Sequence, residues 1–171
     1  FHATGIDLDA RKVDSINEGR SYIPDVATAD VQALHAKGRL DATTDFAVVR
    51  DLDTINICVP TPLRKTKDPD MSYIVSAVEG IKPRLRRGQL VILESTSPIG
   101  TTEHIARQMG ERRPDLHVGT NGKEGGAVHV AYCPERVLPG RILTELINND
   151  RCIGGITPAC TRLAQRFYKM F

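Results

Sequence analysis

The sequence predicts an α/β fold, a doubly wound and mainly parallel sheet with helices on both faces. Three observations carry that expectation. Apolar runs rich in Ile and Val recur along the chain. Segments with helical spacing lie between them, and Gly, Pro, Ser or Asp closes the joins where caps and turns belong. Strand candidates are 3–8, 54–59, 89–94, 128–132 and 151–153.

Taken in order, 3–8 is a short apolar run that ends in GIDLDARKV, and 10–18 continues as a helix closed by Gly19. A second helix is expected over 28–37, closed by Gly38, because glycine readily takes the left-handed conformation that ends a helix. TINICV at 54–59 then meets Pro60-Thr61-Pro62, a strand running into a rigid turn. The helix expected over 72–85 follows Asp70, and Ile74, Val75, Val78, Ile81 and Leu85 share one face as its packing stripe. After the strand at 89–94, Ser97 is placed to cap a helix beginning near 97–102, with Pro98 in its first turn and Glu103 at its positive end. The strand at 128–132 delivers Glu135 between Pro134 and Pro139, and the last helix is expected over 158–171. Residues 143–149 read as loop or helix, and the glycine-rich 120–126 as the most flexible segment.

The 171 residues fit one domain, without internal repeats. Charged content of 26%, hydrophobic content of 40% and a mean hydropathy of −0.25 describe an ordinary water-soluble composition. The net charge of +2 comes from interspersed signs, and with 5% aromatics and no Trp there is neither basic stripe nor stacking platform for nucleic acid. No run reaches the roughly 18 apolar residues of a membrane span, and the first residues lack the pattern of a secretory leader, so a cytoplasmic protein is expected. Cys58, Cys133, Cys152 and Cys160 stand singly, without zinc-ligand spacing, and read as reduced and mostly buried thiols. No metal site is expected.

Three stretches carry chemistry: CVPTPL at 58–63, LESTSPIGTTE at 93–103, and AYCPERVLPGRILTELINNDRCIGG at 131–155. Their hydroxyls and carboxylate leave strand ends at the carboxyl edge, where open α/β sheets hold ligands, and positions 7, 61, 96 and 135 are expected along one rim of the parallel sheet, facing a shared crevice. On the residues alone other roles stay open. Asp7 also reads as a helix-flanking carboxylate, Lys12 as a surface charge, Thr61 as a turn residue, Glu94 as a strand-end charge, and Glu135 as a buried partner of Arg136 or Arg151.

Together the three stretches resemble the nucleotide-sugar 6-dehydrogenases of the UDP-glucose/GDP-mannose dehydrogenase superfamily, over nearly the whole chain. Pro139 stands where UDP-glucose dehydrogenases carry a second glutamate, which points to the N-acetyl-hexosamine branch. The resemblance implies a Rossmann-like domain using NAD. Asp7 would hold the adenosine ribose, with Lys12 at the family's basic position five residues on. A carboxylate at Asp7 disfavours the 2′-phosphate of NADP. Pro60, Thr61 and Thr96 would lie against NAD, Thr96 also beside the reacting centre, and Glu135 would act as acid and base in hydrolysing a covalent intermediate.

The chain holds no strand followed by G-x-G-x-x-G; Gly119, Gly122 and Gly125 share a spacing of three but read as loop. The expectation is therefore a partial domain, with the first βα unit upstream of Phe1, and the central helix and UDP-sugar-binding half beyond Phe171. The catalytic cysteine would lie in that later half, and Cys133 is not it. The parent would oxidise the C6 hydroxyl of a UDP-N-acetylhexosamine, first UDP-N-acetyl-D-mannosamine, to the carboxylate with two NAD, as a homodimer or higher homo-oligomer. These 171 residues alone would be inactive. Alternatives are UDP-N-acetylglucosamine, UDP-N-acetylgalactosamine or UDP-glucose as substrate, and, in another class, a non-catalytic nucleotide-binding module.

Overall fold

In a computed structural model of the chain, residues 1–119, 127–138 and 140–170 are described. The expectations for 120–126, including Gly122 and Gly125, and for Pro139 lie outside them. The chain forms two compact units, Phe1–Phe46 with Arg136–Asp150, and Ala47–Glu135 with Arg151–Phe171.

In the first unit, β1 (Ala3–Ile6) pairs in parallel with β2 (Leu40–Thr43), Ala3 opposite Leu40 and Ile6 opposite Thr43. Between them run α1 (Ala10–Asn17) and α2 (Thr28–Ala36). The Asp9 carboxylate caps α1 by accepting from the Arg11 amide, and Arg11 lowers the Asp9 pKa to about 2 through its side-chain hydrogen bond. Asn17 clamps the far end of α1 to β2, donating to the Ala42 carbonyl and accepting from its amide, both at 2.8 Å. Gly19 and Gly38 close the two helices at φ +72° and +61°, as the sequence indicates. Sequence pattern missed β2, because LDAT is short and half polar. Residues 142–148 form α5 (Ile142–Asn148).

The second unit is built on a four-stranded sheet in the order β3-β4-β5-β6. Its strands are β3 (Thr54–Ile57), β4 (Leu90–Leu93), β5 (His129–Tyr132) and β6 (Gly154–Gly155). The first three are parallel and in step, Thr54 beside Leu90 beside His129, and Ile57 beside Leu93 beside Tyr132. All four residues of β4 are buried, as a central parallel strand requires. Leu90 and Ile92 join Ala131, Cys133, Ala164 and Tyr168 in one core cluster, the last two from α6 (Pro158–Tyr168). Gln89, fully buried at the start of β4, donates to the Val49 and Leu52 carbonyls at 2.6 Å and accepts from the Arg86 amide at 2.7 Å. Its polar groups are thereby all engaged, which is what permits a buried amide there.

Several expected boundaries move, the last helix for one ending at Tyr168, and three of the shifts change the local structure. The helix at 72–85 is α3 (Ser72–Ile81) followed by a 3-10 turn, Lys82–Arg84, because Pro83 has no amide to continue the α-helical ladder. Its stripe is core at Ile74 and Val78, both at 0% exposure, and at Ile81 and Leu85, while Val75 is half-buried. The next helix, α4 (Thr101–Arg112), starts after Gly100 at φ +89°; Ser97 does not cap it. Instead Thr101 donates its amide and hydroxyl to the Pro98 carbonyl, so 98–101 is a turn that delays the helix. The strand expected at 151–153 falls one step later as β6, and it runs antiparallel to β5, Ala131 opposite Gly155.

Candidate functional site

Because β3, β4 and β5 run in the same direction and in step, their carboxyl ends lie side by side. The chain leaves them as Cys58-Val59-Pro60-Thr61, Glu94-Ser95-Thr96-Ser97 and Cys133-Pro134-Glu135. Thr61, Thr96 and Glu135 therefore come off one edge of one sheet, whereas Asp7 follows β1 of the two-stranded sheet rather than leaving that same sheet. Pro60, Thr96 and Glu135 are exposed and Thr61 is half-buried, so these groups are open to a ligand. Glu135 is exposed rather than buried.

The exits are laced together. The Ile57 carbonyl accepts from the Glu94 amide at 3.0 Å, the Ser95 amide at 3.1 Å and the Ser95 hydroxyl at 3.2 Å, while Ser95 Oγ accepts from the Val59 amide at 2.8 Å. The Glu94 carbonyl accepts from the Glu135 amide at 3.1 Å. Ser95 is thus a buried tie rather than a ligand group, and Thr96 is the exposed hydroxyl next to it. Beyond Pro60, the loop is braced by the Arg64–Asp70 ion pair at 3.0 Å and a Leu63–Pro69 bridge.

Sequence reasoning missed the group at the centre of this edge. The Glu94 carboxylate accepts from Asn56 Nδ2 at 3.1 Å, from Cys58 Sγ at 3.0 Å and from the Tyr168 hydroxyl. Arg151 stacks over the Tyr168 ring at 4.6 Å, and Cys133 bonds to Tyr168 and Arg151. A signal was present: Asn56 and Cys58 are polar residues two apart in TINIC, hence on one face of an otherwise apolar strand.

Two thiols near this edge are held protonated. Burial, then the Glu94 carboxylate, push the Cys58 thiol far above its ordinary value even though the residue as a whole is exposed, and burial raises Cys133. Neither suits a thiolate nucleophile. Cys58 and Cys152 are exposed and Cys133 and Cys160 buried, so the expectation of mostly buried thiols holds for two of the four; all are free. The Tyr168 hydroxyl is likewise driven upward by burial and by Glu94, and stays a donor.

In the first unit, Asp7 follows the last residue of β1, its amide donating to the Thr43 carbonyl at 3.3 Å. Its Oδ1 accepts from the Asp9 amide and its Oδ2 from Lys12 Nζ, both at 2.9 Å, and Lys12 also lies 5.8 Å from the centre of the Tyr22 ring. Partial burial works to raise the Asp7 pKa, but the Asp9 amide and Lys12 outweigh it, so the carboxyl sits below its ordinary value. The group fits the ribose of a dinucleotide. It is an ionised acceptor at the carboxyl end of a parallel strand, part-exposed, with two of its roughly four lone-pair positions used.

Residues 1–171 match the NAD binding domain of the UDP-glucose/GDP-mannose dehydrogenase family. The chain is 47% identical over 98% of its length to an NDP-N-acetyl-D-galactosaminuronic acid dehydrogenase of Ralstonia nicotianae, and 46% identical over 98% to the UDP-N-acetyl-D-mannosamine dehydrogenase of Escherichia coli. In both cases it spans 39% of the relative's length. Among solved structures, a UDP-D-ManNAc dehydrogenase from Pyrococcus horikoshii superposes with a TM-score of 0.87 at 35% identity, covering all of this chain and 39% of that one. The Rossmann-like fold read from the sequence is borne out by that likeness, and no helix among the described residues is long and apolar enough to cross a membrane.

Proposed function

Given that the chain belongs to the UDP-glucose/GDP-mannose dehydrogenase family through its NAD binding domain, we propose that the whole protein oxidises the C6 hydroxyl of a UDP-N-acetylhexosamine to the carboxylate, with UDP-N-acetyl-D-mannosamine as substrate. What supports this most is the convergence of Thr61, Thr96 and Glu135 on the carboxyl edge of β3, β4 and β5, where such sheets bind their ligands. NAD, when bound, accepts hydride. Asp7 accepts hydrogen bonds from the ribose hydroxyls, with Lys12 fixing its carboxylate. Pro60 and Thr61 give the cofactor a rigid wall with one hydroxyl, Thr96 orients a water or proton acceptor at the sugar, and Glu135 moves the proton when water releases the acid from its thioester. Cys58 and Cys133, held protonated, do not suit the thiol of that thioester, which this reading assigns to a cysteine elsewhere in the whole protein. The 171 residues alone, 39% of the relatives' length, form no NADH. The whole protein works in the cytoplasm as a homodimer or higher homo-oligomer.

The near-equal identity to the Ralstonia enzyme favours N-acetylgalactosamine as the second sugar. Turnover of the whole protein with UDP-N-acetylmannosamine, UDP-N-acetylgalactosamine, UDP-N-acetylglucosamine and UDP-glucose separates the sugars. The expected result is two NADH per UDP-N-acetylmannosamine and a lower kcat/KM for the rest. No NADH from any of them leaves a nucleotide-binding module instead.

Asp7 sets a pH dependence whose sign is fixed. Its pKa lies below the ordinary carboxylate value of about 3.9, so the acceptor stays ionised down to that range and is lost only as pH falls through it. Calorimetric titration should give NAD affinity that is flat from about pH 8 to about pH 5 and weaker only below about pH 4. A midpoint near neutrality would remove Asp7 from the ribose.

A further inference from the structure

We infer that Glu94 is the positioning residue of the nicotinamide-side edge, an inference that rests on the dehydrogenase reading above. Among the described residues, the groups that meet its side-chain oxygens are donors: the Asn56 amide nitrogen at 3.1 Å, the Cys58 thiol at 3.0 Å and the Tyr168 hydroxyl. Those donors come from β3, the exit of β3, and α6, while the Glu94 main chain joins β3 through the Ile57 carbonyl and the exit of β5 through the Glu135 amide. One residue therefore ties three strand exits and a helix, and these exits carry Thr61, Thr96 and Glu135.

Only an acceptor on both oxygens satisfies this setting. An amide at this position turns one of the two into an N–H2 facing a donor, and a methyl leaves all three donors without their acceptor. Tyr168 keeps its proton, because burial and Glu94 both raise its pKa, so the tie from α6 persists through the neutral range. Glu94 needs no contact with sugar or cofactor to act. It fixes where Thr96 and Glu135 emerge, and displacing reacting groups by about 1 Å can cost on the order of a hundredfold in rate.

The test uses the whole protein with Glu94→Ala, Glu94→Gln and Tyr168→Phe, assayed below their melting midpoints. Glu94→Ala should lower kcat by about 10- to 100-fold, while affinity for ADP-ribose, which lacks the nicotinamide, stays within about twofold. Glu94→Gln should recover part of the loss, since its remaining oxygen still accepts from Tyr168 or Cys58, and Tyr168→Phe should lower kcat without moving ADP-ribose affinity. If Glu94→Ala keeps its kcat, or loses kcat and ADP-ribose affinity in parallel with its melting temperature, Glu94 is structural and the inference fails. A wild-type protein that binds NAD yet forms no NADH from any UDP-hexosamine overturns the dehydrogenase reading itself, and the positioning role with it.

Discussion

Replacing Glu135 by Gln should stop the proposed reaction after its second hydride transfer. The side chain leaves β5 directly behind Pro134, whose ring fixes the backbone, and its amide is tied to the Glu94 carbonyl at 3.1 Å. Gln has the same length and can still hydrogen-bond, but it cannot take a proton from water or return one to a leaving thiolate. Loss of a positioned acid or base typically costs about 10²- to 10⁴-fold. Steady-state NADH formation in the whole protein should fall by that factor with NAD affinity unchanged. A rapid-mixing experiment should show a burst of two NADH per site before the stall, because alcohol to aldehyde and aldehyde to thioester each release one and neither needs Glu135. Undiminished steady-state turnover would take Glu135 out of the chemistry, and an absent burst would put its role before the thioester.

A second large effect is expected at Gly155, and it concerns the fold. The Gly155 amide donates to Thr161 Oγ1 at 2.9 Å, seating the first turn of α6 on β6. A Cβ there would lie 2.3 Å from the Thr161 nitrogen, 2.6 Å from Cys160 Cβ and 2.7 Å from the Cys160 carbonyl carbon. Two of these are backbone atoms of a helix, so relief requires α6 to move as a body. That withdraws Ala164 and Tyr168 from the cluster they share with Leu90, Ile92, Ala131 and Cys133. Gly155→Ala should cost about 3 kcal/mol or more, a fall of roughly 6–12 °C in melting temperature for a chain of this size. Gly154→Ala is the control, since nothing lies within 4 Å of its added methyl. A thermal melt in which the two variants behave alike would show that α6 accommodates the methyl.

Much of the scaffold was legible because its signals are local. LVIL of β4, the face of Ile74, Val78 and Ile81 on α3, and the left-handed glycines after α1 and α2 each express a backbone preference or a periodicity contained in a few residues. The contact of Asp7 with Lys12 belongs to the structure, since the sequence offered Lys12 only as a surface charge or, by resemblance, a basic position near the ribose. The errors have the opposite character. LDAT becomes β2 only because β1 offers it a parallel partner, and Gly154-Gly155 becomes β6 only because β5 is beside it. Ser97 gives up its capping role to a turn closed by the Pro98 carbonyl.

What the sequence determined by itself, then, is most of the strands and helices in their order and the polar character of the residues at their ends: Asp7, Thr61, Thr96 and Glu135. What only the tertiary structure decided is that the strands carrying the last three are neighbours in step in one sheet, and that Glu94, an ordinary strand-end acid in sequence, gathers donors from β3, its exit and α6, up to 74 positions away. The reason is physical. Torsional preference and hydrophobic period act over a few residues, whereas a carboxylate's partners are set by which elements pack against it.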